Sequence, residues 1–253
     1  MSGSTFGKRL SGALFLLVAY LVLQTFVVIA HEFTHSTTAW LLGYTPTPFT
    51  VVWGNPITVQ GWDEGVPYDR LFPSPGHLAE AAIGGMPLLM HTLFVVVSLY
   101  CLHRLLSGRR KLLFFSLYVF VVTNLAELIA YIVMRPFIST GDTGRFNEGT
   151  GLSPWVLFIV GMGFLVSALW FLATRIDPYF DRFTDGSRSV RWAIVSSAAF
   201  IMFLWVSGFR IMSLYPDPQW KIGLVGIAGF FGWLLIARLT HLKSMAERQP
   251  NHL

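Results

Sequence analysis

Residues 10–35 read LSGALFLLVAYLVLQTFVVIAHEFTH, a long apolar run that ends in the pattern His-Glu-x-x-His. A helix turns by about 100° per residue, so His31 and His35 share one side and can bind one metal ion, while Glu32 reaches its bound water. Two histidines and a carboxylate at membrane depth are costly to bury and indicate a function. We therefore expect a metal site inside a membrane helix. The alternative is that these side chains only satisfy one another in a polar helix contact.

The composition is typical of a membrane protein. Of the 253 residues, 54% are hydrophobic and 12% are charged, and the mean hydropathy is +0.59. These values exclude an ordinary soluble domain and predict an all-α polytopic membrane protein. The net charge of +5 does not indicate nucleic-acid binding, because the basic residues lie in short clusters between apolar runs. The single Cys101 excludes an intrachain disulfide and a thiolate metal cluster.

Six apolar runs each reach the roughly 20 residues that a helix needs to cross a bilayer. They are predicted at about 10–43, 77–106, 112–137, 154–174, 190–215 and 220–241. The first run imitates a secretory signal with a cleavage site after Ala30. A run from Leu10 to Ala30 is longer than the apolar part of such a signal, which has about 7–15 residues. We therefore expect it to be the first transmembrane helix.

Basic residues predict the orientation of these spans. Of the 18 basic residues, 13 fall on one side of the predicted helices. These are Lys8, Arg9, Arg104, Arg109, Arg110, Lys111, Arg175, Arg182, Arg188, Arg191, Arg238, Lys243 and Arg248. Because cytoplasmic loops are enriched in Lys and Arg, both termini are predicted to be cytoplasmic. Arg210, near the end of the fifth span, is predicted to snorkel to the interface.

The loop after the first span, residues 44–76, contains six prolines and several glycines. Two β-favouring stretches, 49–53 and 57–60, flank the sequence Gly-Asn-Pro at 54–56. This pattern predicts a short β-hairpin. Such a hairpin is either a plain surface feature or an exposed strand edge that holds an extended substrate beside the metal.

The second span carries the sequence Gly-Gly-Met-Pro at 84–87. Small residues allow close packing of helices in lipid. Pro87 can kink the helix where neighbours satisfy the carbonyl that it frees. His91 lies one turn later and is predicted to be a hydrogen-bonded packing residue in preference to a ligand.

Two carboxylates compete to be the third ligand. A zinc ion held by two histidines and a carboxylate keeps an open position for water, and Glu32 would accept a proton from that water and pass it to a leaving amine. At about 1.5 Å per residue, Glu127 lies nearly as deep in its span as His35. Asp142 lies beyond its span and reaches the zinc only if the chain turns back inward.

The metal motif resembles that of the site-2-protease-like intramembrane metalloproteases and related bacterial membrane zincins. The likeness rests on the motif at 31–35, the small-residue segment at 84–87, and Asn124 leading to the Gly-Asp pair at 141–142. It covers roughly residues 10–144. Asp142 follows Asn124 at a longer spacing than in the better-known members, and the metal helix is predicted to run in the opposite direction.

The resemblance implies an intramembrane zinc peptidase that hydrolyses a peptide bond in or near a membrane-embedded segment of a protein or peptide. It implies zinc ligands at His31, His35 and Asp142, with Glu32 as the catalytic base. Glu127 has no counterpart in that family, and it remains the alternative third ligand favoured by its depth.

Other parts of the chain receive coarser predictions. Asn124 and Glu127 are expected to orient a ligand or the substrate. Residues 1–151 are predicted to form a metalloprotease-like membrane core with three helices, and 152–253 to add three further helices and a cytoplasmic tail. A different class is a metal-binding transporter or a non-proteolytic binding protein. The few ionisable residues in the later helices, essentially Arg210, count against transport.

Overall fold

The computed structural model describes residues 3–106, 110–184, 187–215 and 219–248. Its longer α-helices are α1 (Gly3–Leu41), α2 (Leu78–Leu105), α3 (Lys111–Ile129), α4 (Gly141–Thr150), α5 (Pro154–Phe171), α6 (Arg188–Ala199) and α7 (Val225–Arg248). Within the described residues, six helical stretches are long and apolar enough to cross a membrane. This confirms the predicted all-α polytopic fold.

Several helices change type along their length. A π-helical turn extends α3, another extends α5, and a longer π-helical stretch extends α6. Their bounds are Ala130–Met134, Leu172–Ile176 and Phe200–Phe209. The candidate spans that result are Leu14–Leu41, Leu78–Leu105, Lys111–Met134, Pro154–Tyr179, Arg188–Leu214 and Trp220–Lys243. They agree with the predicted spans to within about five residues at each end, as expected for boundaries read from hydropathy.

The metal-motif helix ends in a well-defined cap. Gly43 has a φ of +81°, and the N–H groups of Gly43 and Tyr44 donate to the carbonyls of Trp40 and Ala39. This is the Schellman arrangement, in which glycine adopts the left-handed conformation that other residues avoid. It ends α1 two turns after His35 and directs the chain into the following loop.

The α3 span lies at the centre of the bundle. In this span 67% of the most apolar window is buried, against 22% in the α5 and α7 spans. Its fully buried side chains include Phe114, Tyr118, Val122, Leu125 and Leu128. They share one hydrophobic core with residues from both the first and the second half of the chain. The α3 residues near its end are therefore held on all sides.

The predicted β-hairpin is wrong. Among the described residues there is no β-strand, and the loop contains only two isolated antiparallel bridges, Val52 with Asp63 and Asn55 with Gln60. The Asn55 side-chain oxygen accepts the N–H groups of Ile57 and Thr58. The predicted second strand is thus a turn, because an Asn side chain that bonds to the following backbone favours a turn over a ladder.

The loop is nevertheless anchored over the metal motif. Ser36, in the turn after His35, donates to the carbonyl of Pro48 at 2.7 Å. Thr50 donates to the carbonyl of Glu64 at 2.7 Å. At its far side, Gln60 donates to the Ser213 hydroxyl at 2.6 Å. These bonds hold residues 59–64 across the end of the bundle.

Helix α4 packs against α2 through small residues. A Cβ atom placed on Gly84 would lie 2.8 Å from the carbonyl oxygen of Asp142, and one placed on Gly149 would lie 2.5 Å from the amide nitrogen of Ala81. Glycine therefore allows the two backbones to approach closely, as predicted for the segment 84–87. This contact brings Asp142, in the first turn of α4, back toward the metal motif.

Candidate metal centre

Two histidines and one carboxylate converge at the end of α1. The Nε2 atoms of His31 and His35 are 3.1 Å apart. The Oδ2 atom of Asp142 lies 2.8 Å from the Nε2 of His31 and 3.2 Å from the Nε2 of His35. Both histidines are buried, and the Asp142 side chain is 12% exposed.

The orientation of His35 follows from the proline in α2. Pro87 has no N–H group, so the carbonyl of Ile83, four residues earlier, loses its helical donor. The Nδ1 atom of His35 lies 2.7 Å from that carbonyl oxygen. A carbonyl can only accept a hydrogen bond, so Nδ1 carries the proton. In the neutral ring, Nε2 therefore presents a lone pair.

A chain of hydrogen bonds fixes His31 in the same way. The side-chain Nδ2 of Asn124 donates to the Phe120 carbonyl at 2.7 Å. This bond turns the Oδ1 of Asn124 toward the Nδ1 of His91, 2.8 Å away. The Nδ1 of His91 must then donate, and its Nε2 accepts from the Nδ1 of His31 at 2.9 Å. The Nε2 of neutral His31 is left with a lone pair, like that of His35.

When both rings are neutral, the three converging atoms therefore meet without a proton of their own. Burial acts to raise the pKa of Asp142, but a proton on the adjacent His35 or His31 holds it well below its usual range, so a cation in this cluster keeps the carboxylate ionised. Three lone pairs at 2.8–3.2 Å repel one another unless a cation, either a proton on one ring or a metal ion, lies between them. In a tetrahedral zinc site with bonds of about 2.0–2.1 Å, neighbouring ligand atoms are about 3.3 Å apart. The donor set and its spacing fit such an ion.

Glu32 lies beside these atoms. Its carboxylate and the two histidines each place one ligand atom within 4.8 Å of the others, so this group could hold a metal ion. Glu32 is 6% exposed and lines a cavity of about 320 Å³ next to the metal motif. The cavity is also lined by Val59, Gln60, Gly61, Trp62, Asp63, Glu64, Tyr68, Tyr131, Arg135, Gly141, Asp142, Arg145, Arg210 and Leu214.

Glu127 has other partners. Its two carboxylate oxygens lie 2.9 and 3.2 Å from the Nη1 of Arg210, and one of them accepts from the Gln24 amide at 2.6 Å. The prediction that Arg210 snorkels to the interface is therefore wrong, because its guanidinium group turns inward to this buried acid. The structure brings Asp142, and not Glu127, into contact with both histidines. Asn124 contacts the site through His91.

The sequence analysis anticipated one supporting residue of the site and missed another. His91, predicted to be a hydrogen-bonded packing residue in preference to a ligand, is fully buried and hydrogen-bonds His31. Tyr131 was not predicted at all, and its hydroxyl lies 3.2 Å from the Nε2 of His31. The usable signal for His91 was an ionisable residue inside a span, which by default needs a functional reason. Tyr131 carries no such signal, because aromatic residues are common in spans.

Comparison with known proteins gives no further identification. No family model matches the chain, and neither a curated protein nor a solved structure is significantly similar to it.

Proposed function

We propose that this protein is an intramembrane zinc peptidase. The observation that carries the proposal is the convergence of three lone-pair atoms, from His31, His35 and Asp142, beside the Glu32 carboxylate and a cavity. In this proposal the first three residues hold the zinc and Glu32 is the base. In this site the Nδ1 atoms of His31 and His35 each donate to an acceptor of their own. A His-Glu-x-x-His pattern that occurs by chance gives no reason for such an arrangement.

The proposed chemistry needs little movement of the protein. When bound, zinc would polarise a peptide carbonyl and make a water molecule more acidic. Glu32 accepts the proton of the attacking water and passes it to the nitrogen of the leaving amine. Ile83 and the pair His91–Asn124 keep the imidazole rings in place through this transfer. Buried polar groups that are already oriented before the reaction stabilise its transition state without a further cost of reorganisation.

We further propose that the substrate is a peptide segment of a membrane protein or a membrane-bound peptide. The metal motif lies within the span Leu14–Leu41, so a bond must reach it at the level of the bilayer or its surface. A transmembrane helix shields its carbonyls by internal hydrogen bonds, so it must locally unwind before cleavage. The lipid bilayer is therefore a partner of the reaction.

Both termini are proposed to be cytoplasmic, with the metal site toward the opposite side. The basis is the 13 basic residues that fall on one side of the six spans. Arg109, one of the thirteen, lies outside the described residues. Single cysteines introduced at Asp63 and at Arg109 in a Cys101→Ala background test this orientation. A membrane-impermeant maleimide should label position 63 from outside, and labelling of position 109 alone would reverse the assignment.

Hydrolysis by Glu32→Gln is the test of the peptidase proposal. The probe is a defined set of synthetic single-span peptides in lipid nanodiscs, with new termini detected by mass spectrometry. Wild-type protein loaded with zinc should cleave members of the set, and Glu32→Gln should be slower by at least about 10²–10⁴-fold because it lacks a proton acceptor. Glu148→Gln, the same change at an exposed position of α4, is the matched control. Equal cleavage by Glu32→Gln and wild type would contradict the proposal.

A further inference from the structure

Tyr131 occupies a special position beside the metal centre. It lies in the π-helical turn Ala130–Met134, and its side chain is 3% exposed. Its ring stacks on that of His31, with centroids 5.1 Å apart and planes 14° from parallel. Its hydroxyl oxygen lies 3.2 Å from the Nε2 of His31, and the residue lines the same cavity as Glu32.

The hydrogen-bond acceptor of the Tyr131 hydroxyl depends on whether the lone pair on the Nε2 of His31 is free. In the neutral ring fixed by His91, the Nε2 of His31 accepts a hydrogen bond from Tyr131. His31 would use the same lone pair to hold a metal ion. The phenolic proton then has to turn to another acceptor, and the cavity beside Glu32 is where a substrate carbonyl would lie.

Arg135 makes this phenol a better donor. Its guanidinium carbon lies 4.4 Å from the centre of the Tyr131 ring, and its side chain is buried. A positive charge at that distance stabilises the negative charge that grows on the phenol oxygen as it donates strongly. Hydrogen-bond donors that are fixed before the reaction are the main source of stabilisation for a developing oxyanion.

We propose that Tyr131 is a catalytic residue that donates a hydrogen bond to the scissile carbonyl oxygen as that oxygen becomes negative. The proposal rests on the proposed peptidase function and adds the group that stabilises its transition state. The water oxygen bonds to the carbonyl carbon while the carbonyl electron pair moves to its oxygen, which Tyr131 Oη–H contacts. The C–N bond then breaks, and the proton held by Glu32 goes to the amine. Tyr131 keeps its own proton throughout.

The first test is the Tyr131→Phe variant, which keeps the ring and removes only the hydroxyl. Zinc content should equal that of wild type, which shows that the site is still folded. On the peptide set used for Glu32→Gln, kcat should fall by about 10²–10³-fold with little change in KM. Tyr100→Phe, the same change at an exposed position of α2, should behave as wild type.

The second test needs no hydrolysis. Cobalt-substituted protein is titrated with acetohydroxamate, whose oxygens bind a metal, and the visible absorption of cobalt reports the binding. Tyr131→Phe should bind acetohydroxamate about tenfold more weakly than wild type, as for the loss of one hydrogen bond. Tyr100→Phe should bind it as wild type does.

The outcomes separate this proposal from the one on which it rests. Unchanged hydrolysis and unchanged acetohydroxamate affinity in Tyr131→Phe, with hydrolysis lost in Glu32→Gln, would overturn the role of Tyr131 alone. Full hydrolysis by Glu32→Gln would overturn the peptidase mechanism. A wild-type protein that binds cobalt but cleaves none of the peptides would also contradict the peptidase function, and the acetohydroxamate comparison would then decide whether Tyr131 donates at the metal.

Discussion

Asp142 and Glu127 are two carboxylates of the same bundle, and they differ in what faces them. Glu127 faces the Arg210 guanidinium and the Gln24 amide, both of which donate protons to it. Asp142 faces the Nε2 atoms of His31 and His35, which carry lone pairs when the two rings are neutral. The first carboxylate already has its donors, whereas a cation would stabilise the second. The partners of each acid, more than its depth along a helix, therefore favour Asp142 as the proposed ligand.

The Glu127–Arg210 pair has a structural role of its own. It joins the last turn of α3 to the helix Arg210–Leu214, which follows the π-helical stretch of α6, and Ser207 in that stretch donates to the Ala126 carbonyl at 2.9 Å. A buried ion pair contributes little net stability, but removal of one partner leaves an uncompensated charge. The pair therefore ties the second half of the chain to the half that carries the metal motif.

Removal of each carboxylate in turn should give the largest contrast. Asp142→Ala loses a donor atom, and its zinc affinity should fall by more than the about 10–100-fold seen when a supporting residue is lost. Glu127→Ala should keep its zinc and lose about 3–5 kcal/mol of stability, because the Arg210 charge, whose side chain is only 10% exposed, loses its partner. Zinc per protein by mass spectrometry and unfolding in mixed detergent measure the two effects. Full zinc occupancy in Asp142→Ala with an empty site in Glu127→Ala would reverse the assignment.

A smaller effect is expected when the support of His31 is removed. In His91→Phe, the Nδ1–H of His31 has no acceptor. The His31 ring is then no longer held with the lone pair of its Nε2 toward Asp142. Zinc affinity should fall by about 10–100-fold, as measured by competition with a chelator. His103→Phe, at an exposed position of the same helix, is the control. Equal affinities in the two variants would contradict the hydrogen-bond chain.

The smallest expected effect comes from the packing that delivers Asp142. Gly84→Ala places a methyl group 2.8 Å from the Asp142 carbonyl oxygen, so α4 must shift. Overpacking of this kind costs about 1–3 kcal/mol, and zinc affinity should fall by about tenfold. Gly163→Ala, where no atom lies within 4 Å of the added methyl, should leave the affinity unchanged. A normal affinity in Gly84→Ala would show that the Asp142 backbone adapts freely.

The spans and the metal helix were predictable because their signals are local. Apolar length and the Gly43 cap are properties of a few successive residues. The sequence also indicated that a neighbour would satisfy the carbonyl freed by Pro87. It could not identify His35 as that neighbour, because the contact depends on how α1 and α2 pack.

The failures arose where a local preference met a competing contact. Residues 57–60 favour strands, but the Asn55 side chain closes a turn over them. Arg210 could reach the interface, but Glu127 is within its reach. Tyr131 lies in a π-helical turn, where the extra residue rotates side chains away from the positions that an α-helical wheel predicts.

In the proposed site, His31, His35 and Asp142 hold the zinc while Glu32 is only the base. X-ray absorption at the zinc edge of wild-type protein and of Glu32→Gln, both loaded with one zinc, tests it most directly. We predict the same spectrum for both, with two imidazoles and nitrogen or oxygen ligands at about 2.0–2.2 Å and no sulfur. A zinc shell that changes in Glu32→Gln would make Glu32 a ligand and contradict the account.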